Sequence, residues 1–465
     1  MKKIALFLSA LLSVCCLFTG CGASKSKNYY IISKNYEESK KGDSLPVYSK
    51  SFEIIGGKDV MPIGTYSGPS TGGIVNAYLI ESMVNDESFV IYKDLGINMF
   101  NASLDAAEAG DNVAKMLELC SKYKMGFFVK DSRFLNESNV TQKTEEEIEE
   151  HMRKYLKYDS YCGIVARDEP DMATIDNYAI FNEKFRNISF SEMYDIYYNA
   201  LPIYSSAEQL GTESYEEYAR YYIEKLKLDY FSYDFYPFGA THRLRTDYFE
   251  NLSIVKNLCD DYRLPFWSFI QCGASFEGHV SECVPNEGEF IWNVNTCLAY
   301  GTKGVQYFTL SQPSFFLDPD DELGATREGI FGYYNNKNEW YYYARKINRQ
   351  IAAVDEVLMN ASNQGVIFHG ESPTKVSDGK EVIKEFRQLK TVAGDDSLIG
   401  CFDYYGGTAF YVVNNSFENK DAKVQMRFDG EYGFDVIQRA ETVTVVGNTL
   451  QLRLDAGEGA LVVIK

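Results

Sequence analysis

The stretch YCGIVARDEP, Tyr161–Pro170, decides the fold. Gly163-Ile164-Val165-Ala166 is a short continuous apolar run, the pattern of a parallel strand buried on both faces. Arg167-Asp168-Glu169-Pro170 stops it with three charges and a proline, which lacks an N–H and restricts the residue before it. Such an ending fits a solvated loop in which Arg167 pairs with Glu169. It also fits a barrel strand that sets carboxyl groups at the mouth.

Seven further runs of this kind surround it. They are Met61–Tyr66, Gly96–Phe100, Met125–Val129, Ile196–Ala200, Tyr230–Asp234, Phe266–Ile270 and Gly304–Phe308. Helical patterns separate them. In Ser214–Leu228, Tyr215, Tyr218, Ala219, Tyr222, Ile223 and Leu226 fall on one face, and in Asp111–Tyr123 Val113, Met116, Leu117 and Cys120 do the same. Thr144 with Glu147 forms a capping box ahead of Ile148 and Met152. Eight strand and helix cycles over roughly 300 residues predict a (β/α)8 barrel. A doubly wound sheet would carry a glycine-rich phosphate loop after its first strand. Ser67–Gly73 is glycine-rich, but it contains Pro69 and lacks the GxGxxG spacing.

A last helix from Asn338 to Met359 closes the barrel. Beyond it the period changes to short alternating runs: Phe402–Tyr405, Ala409–Val413, Val424–Phe428, Thr442–Val446 and Leu450–Leu454. Turn residues such as Gly406-Gly407 and Asn414-Asn415 lie between them, which predicts an antiparallel β-sandwich. The expected division is a signal peptide over 1–20, a polar tether over 21–50, the barrel over 51–360 and the sandwich over 361–465.

Lys2 and Lys3 precede a short apolar run, Ile4–Phe18, which reads as a signal peptide rather than a membrane span. Leu17-Phe18-Thr19-Gly20-Cys21 resembles a bacterial lipobox, which implies acylation of Cys21 and attachment to a lipid bilayer at the cell surface. Two acyl chains on one terminus hold stably where one is marginal.

The net charge of -20 argues against nucleic acid, since no basic stripe is available for phosphates. Cys120, Cys162, Cys259, Cys272, Cys283, Cys297 and Cys401 are scattered in mostly apolar segments, with four His and no CxxC. Buried thiols are expected and no metal or cofactor is implied. Cys272 and Cys283 are close enough in sequence to pair. Asp318–Glu322 is acidic but lacks the spacing of a calcium loop. With 36 Tyr and 30 Phe the chain is rich in aromatics, and Tyr exceeds what core packing alone selects; that fits a surface that stacks on sugars and equally a Tyr-rich fold with its hydroxyls at the surface.

In such a barrel the functional groups sit at the C-terminal strand ends. Those ends carry Tyr66, Asn101, Lys130 and Asp131, Asp168 and Glu169, Asn199, Asp234 and Tyr236, Gln271, and Gln312. Amides, carboxyls and Tyr suit a neutral polyhydroxylated ligand; phosphate would want Arg, Lys or clustered N–H groups. Tyr66, Tyr236, Phe238 and Trp267 are candidate stacking rings.

Arg167-Asp168-Glu169-Pro170, on the fourth run, resembles the Asn-Glu-Pro signature of retaining (β/α)8-barrel glycoside hydrolases. Phe266–Gln271 and Gly301–Phe308 are similar to strands seven and eight of β-galactosidase-like members. The resemblance implies that Glu169 is the general acid/base, in hydrolysis by paired carboxylates without a cofactor. Asp168 stands where the family has Asn. The family nucleophile, a Glu at the end of strand seven, is replaced by Gln271. That leaves Glu277, six residues on, or Asp234 as the partner of Glu169, or else a surface glycan-binding lipoprotein that has lost catalysis. The substrate-contacting set would be Asp168, Tyr66, Asn101, Asn199, Tyr236, Trp267 and Gln271.

Replacing Cys21 with Ser is expected to move the protein from the membrane to the soluble fraction of the expressing cell, read by immunoblot. Unchanged membrane retention would exclude acylation there.

Overall fold

The computed structural model describes Ile55, residues 57–75, 78–101, 104–273, 283–312, 329–332 and 335–465, with residues 74, 75 and 78–80 described as backbone only. Cys21, the tether, Glu277 and the Asp318–Glu322 run lie outside the described residues.

The eight runs are eight parallel strands: β1 Ile63–Tyr66, β2 Met99–Phe100, β3 Gly126–Val129, β4 Tyr161–Asp168, β5 Asp195–Asn199, β6 Phe231–Tyr233, β7 Phe266–Gln271 and β8 Gly304–Phe308. They pair in the order β5-β4-β3-β2-β1-β8-β7-β6. Ala200, just past β5, closes the circle. It bridges Tyr233, and its N–H donates to the Ser232 carbonyl at 2.8 Å. Helices Asn112–Tyr123, Glu145–Arg153, Tyr215–Leu226 and Glu339–Met359 fall where the 3.6-residue period places them, and the Thr144–Glu147 capping box forms. In β4, Gly163 lies against β5 so closely that a Cβ there would meet the Asp195 carbonyl oxygen at 1.8 Å.

The C-terminal part is a seven-stranded antiparallel sheet: β9 Ala361–His369, β10 Leu389–Gly394, β11 Ser397–Tyr404, β12 Gly407–Asn414, β13 Ala422–Gln438, β14 Glu441–Leu454 and β15 Gly459–Ile464. Val424–Phe428 is part of the long β13, and Thr442–Val446 and Leu450–Leu454 belong to one strand, β14, rather than to separate ones. β13 breaks register between Arg427 and Tyr432, pairing β10 before the break and β15 after it. One ladder thereby supplies both layers of the sandwich. Phe410 on one layer meets Phe428 on the other, with ring centroids 6.0 Å apart, inside a core that includes Ile399, Met426 and Leu452.

The outer face of β11, β12 and β15 packs on the barrel. Leu398, Phe402, Ala409, Tyr411, Val413 and Leu461 join the barrel core. Their counterpart is the helix Glu287–Tyr300, in which every residue from Gly288 to Tyr300 is buried; a helix apolar all round belongs inside. Two of its polar side chains, Trp292 and Asn295, reach the sheet and its loops. Trp292 Nε1 donates to Asn415 Oδ1 at 3.1 Å, Asn295 Nδ2 to the Gly457 carbonyl at 2.9 Å, and Tyr411 OH to Asn295 Oδ1 at 2.6 Å. The described cysteines are buried and form no disulfide, so Cys272 and Cys283 do not pair.

This packing can be tested at two positions. A Cβ at position 288 would lie 2.1 Å from the Phe417 carbonyl oxygen. Gly288→Ala is therefore expected to cost about 2 kcal/mol or more in denaturant unfolding, with barrel and sheet still melting together and no protease cut between Met359 and Gly365. His151, 2% exposed, stacks on Phe134 at 3.7 Å, and burial pushes its imidazole down to about 4. Between about pH 6.5 and 4 the unfolded chain takes the proton and the folded one does not. Stability should fall across that window by on the order of 3 kcal/mol more in wild type than in His151→Phe.

Candidate active site at the barrel mouth

The aim of the stretch Tyr161–Pro170 is set by one extra residue. β4 pairs β5 as Val165 with Tyr197, then as Arg167 with Tyr198 and Asp168 with Asn199. Ala166 is the residue without a counterpart, a bulge that re-aims the end of the strand. Tyr197 and Asn199 face the barrel interior, so Asp168 faces inward and Arg167 outward. Arg167 Nη2 pairs with Glu137 Oε1 at 2.6 Å. The pairing of Arg167 with Glu169, open on sequence grounds, does not form.

Glu169 continues the ladder, donating its N–H to the Asn199 carbonyl at 2.8 Å, and adopts a left-handed φ of 47°. A side-chain-bearing residue there costs on the order of 1–3 kcal/mol and persists where its surroundings fix it. Tyr218, from the helix Tyr215–Leu226, does the fixing: its hydroxyl donates to the Pro170 carbonyl at 2.9 Å and accepts from Leu201 N–H at 3.2 Å.

Three carboxyl groups meet at the ends of β4 and β6. Asp234 is 5% exposed, whereas Asp168 and Glu169 are accessible. Asp234 and Glu169 are hydrogen-bonded to each other. Burial, then the charges of Glu169 and Asp168, hold the Asp234 carboxyl well above the ordinary carboxylate range. Asp234, the more buried member, is thus held toward its neutral form. Asp168 is raised by the protein around it, while the Tyr66 hydroxyl (2.7 Å), the Lys130 charge and Asn199 oppose that rise.

Beneath the carboxyls lies a hydrogen-bonded floor. Asn101 Nδ2 donates to Tyr197 OH at 2.7 Å and to Gln306 Oε1 at 2.5 Å. Gln306 Nε2 donates to Ser232 Oγ at 2.8 Å, Ser232 Oγ to Asn199 Oδ1 at 2.9 Å, and Asn199 Nδ2 to Asp234 Oδ1 at 2.9 Å. Asn101 and Asn199, expected to contact substrate, are buried and belong to this floor.

Tyr66 and Tyr236 do flank the mouth. Both are half-buried, and both pack on Phe308, with centroids 5.8 and 5.5 Å away. Phe308 is a wall ring at the end of β8, where sequence reasoning singles out Gln312 instead. Two other expected rings are core. Trp267 is wholly buried and stacks on Tyr230 at 3.8 Å. Phe238 is wholly buried among Trp292 and Phe417 at the junction with the sheet. Gln271 is a clamp rather than a substrate ligand. Its Oε1 accepts from Phe238 N–H at 2.9 Å, and its Nε2 donates to the carbonyls of Phe238 (2.9 Å) and Cys283 (2.7 Å). Ser232 and Gln306 escape a reading of strand ends, although a Gln inside the apolar run Gly304–Phe308 already demands buried partners.

No protein-family model matches this chain, and no curated protein matches it in sequence. Solved structures resemble it in fold. A glycoside hydrolase family 5 protein from Bacteroides vulgatus superposes with a TM-score of 0.51 at 9% identity, covering 87% of this chain and 89% of its own. A glycoside hydrolase family 27 β-L-arabinopyranosidase from Geobacillus stearothermophilus gives a TM-score of 0.45 at 9% identity, over 90% and 98% of the two chains.

Gln271→Glu would turn two carbonyl oxygens against a carboxylate. It is expected to destabilise the fold by about 3 kcal/mol in chemical denaturation. An unchanged midpoint would contradict the clamp.

Proposed function

We propose that the protein is a glycoside hydrolase in which Asp234 is the proton donor and Asp168 its anionic partner. The observation that carries this reading is the Asp234 carboxyl, buried and held toward its neutral form, beside two accessible carboxyls at the barrel mouth. A general acid must keep its proton near neutral pH, and this arrangement of burial and like charge does that. It moves the acid role from Glu169 to Asp234. The fold likeness to the family 5 glycoside hydrolase supports the reading, as does the wall formed by Tyr66, Phe308 and Tyr236, which suits the CH faces of a neutral sugar.

Asn199 Nδ2 donates to Asp234 Oδ1 at 2.9 Å, and the same amide favours the charged form of Asp168. A separation of about 5–5.5 Å between the Asp168 and Asp234 carboxyls would mark a retaining pair, and one of roughly 6.5–9.5 Å an inverting one; the steps that follow are those of a retaining pair. On binding, the leaving-group oxygen replaces Glu169 as acceptor of the Asp234 proton. The C–O bond breaks as that proton transfers, and Asp168 closes on the anomeric carbon to give a glycosyl ester. Water then attacks that carbon, gives a proton to Asp234, and frees Asp168. Glu169 acts through its charge, as a positioning residue that keeps Asp234 protonated.

With a panel of aryl and unactivated glycosides, Asp168→Asn should remove turnover of both classes by a thousandfold or more. Asp234→Asn should abolish only the unactivated class, because good leaving groups need no proton. The kcat/KM profile of wild type should fall at low pH as Asp168 is protonated and at high pH as Asp234 ionises. Glu169→Gln should shift the alkaline limb to lower pH. Loss of both substrate classes in Glu169→Gln would instead return a direct chemical role to Glu169.

A surface glycan-binding lipoprotein is the second reading, favoured by Gln271 where the resembling enzymes carry a Glu. Glycan binding by wild type without turnover of any glycoside would establish it. Under either reading, attachment to the cell surface through Cys21 is part of the proposal.

A further inference from the structure

His242, Cys283 and Glu289 place an imidazole nitrogen, a sulfur and a carboxylate oxygen within 4.8 Å of one another. From this juxtaposition we infer a zinc-type metal site, separate from the three carboxyls. The three ligands come from the loop after β6, the loop after β7 and the first turn of the helix Glu287–Tyr300. No spacing motif encodes them.

The distances from His242 fall within about half an ångström of those a tetrahedral ion requires. His242 Nδ1 lies 3.0 and 2.9 Å from the two Glu289 oxygens and 3.4 Å from Cys283 Sγ. With bonds of about 2.0–2.1 Å to N and O and about 2.3 Å to S, tetrahedral edges are about 3.3–3.6 Å. Movements of a few tenths of an ångström would seat the ion.

Charge points the same way. The Glu289 side chain is 2% exposed, and His242 is its only ion-pair partner among the described residues. One Glu289 oxygen accepts from Asn286 N–H at 2.8 Å, which fixes the carboxylate as the helix cap. A buried anion held this way gains from a divalent cation. Thiolate, imidazole and carboxylate together select zinc-like ions over magnesium or calcium.

The same atoms do not make a nucleophilic relay. Cys283 and Glu289 both face Nδ1 of His242, whereas a relay needs one partner on each ring nitrogen. His242 is half-exposed, which leaves the fourth position to water. The ion would fasten the β6 and β7 loops to the helix beside the Gln271 clamp, which holds the Cys283 carbonyl.

The test uses the full soluble chain, stripped with chelator and titrated with Zn(II) and separately with Co(II). One equivalent of Zn(II) is expected with micromolar or tighter affinity, and Co(II) should show a thiolate charge-transfer band. His242→Ala, at a half-exposed position, should weaken Zn(II) at least tenfold. Cys283→Ser should remove the charge-transfer band. Binding should tighten as pH rises, because the ion displaces protons from the thiol and imidazolium into solvent. Absence of a stoichiometric site, or affinity unchanged in a folded His242→Ala, would leave only a hydrogen-bonded cluster and overturn the inference.

Discussion

The active end of the barrel depends on the direction of one chain of hydrogen bonds. Gln306 has its carbonyl occupied by Asn101 and Tyr197, so its amide hydrogens must go to Ser232. Ser232 then gives its hydroxyl proton to the Asn199 carbonyl, and Asn199 has only N–H left to offer Asp234. Each step leaves the next group one orientation. Asp234 Oδ1 is thereby fixed as an acceptor, which leaves the other oxygen as the place for a carboxyl proton. Strands β2, β5, β6 and β8 each contribute a side chain to this path. In a water-poor interior a reversed member would bury an unpaired polar group at a cost of about 1–3 kcal/mol.

Much of the scaffold is legible in the residues themselves. The eight apolar runs, the Tyr-rich face of Tyr215–Leu226 and the Thr144–Glu147 cap depend on local period and local chemistry, so each segment announces its own state. The inward turn of Asp168 does not. It depends on a bulge at Ala166, and a period-two reading has no means of placing the extra residue. Trp267 and Phe238 mislead for a related reason: a large ring near a strand end is the same letter whether it faces the mouth or the core.

Gln271 is a harder case. Its position at the end of β7 is plain in the apolar run before it, and an amide in place of a carboxylate suggests lost chemistry. Its partners are backbone atoms of Phe238 and Cys283, supplied by loops distant in sequence, and they show the amide meeting a structural need. The carboxyl cluster can be anticipated only as a set of candidates. Which member keeps the proton depends on relative burial and on who hydrogen-bonds whom.

The helix Glu287–Tyr300 has a consequence for how the chain is made. Its circumference is covered on one side by the barrel and on the other by β11, β12 and β15, and β15 follows the whole barrel along the chain. During synthesis or export the barrel segment emerges first with a strip of its core still wet. It cannot reach its final state until Gly459–Ile464 has arrived and joined the ladder. Chains halted a few residues short would display that strip together with the unpaired edges of β12 and β13. Exposed strip and open edges are the features by which incomplete chains aggregate or are taken up by holding chaperones.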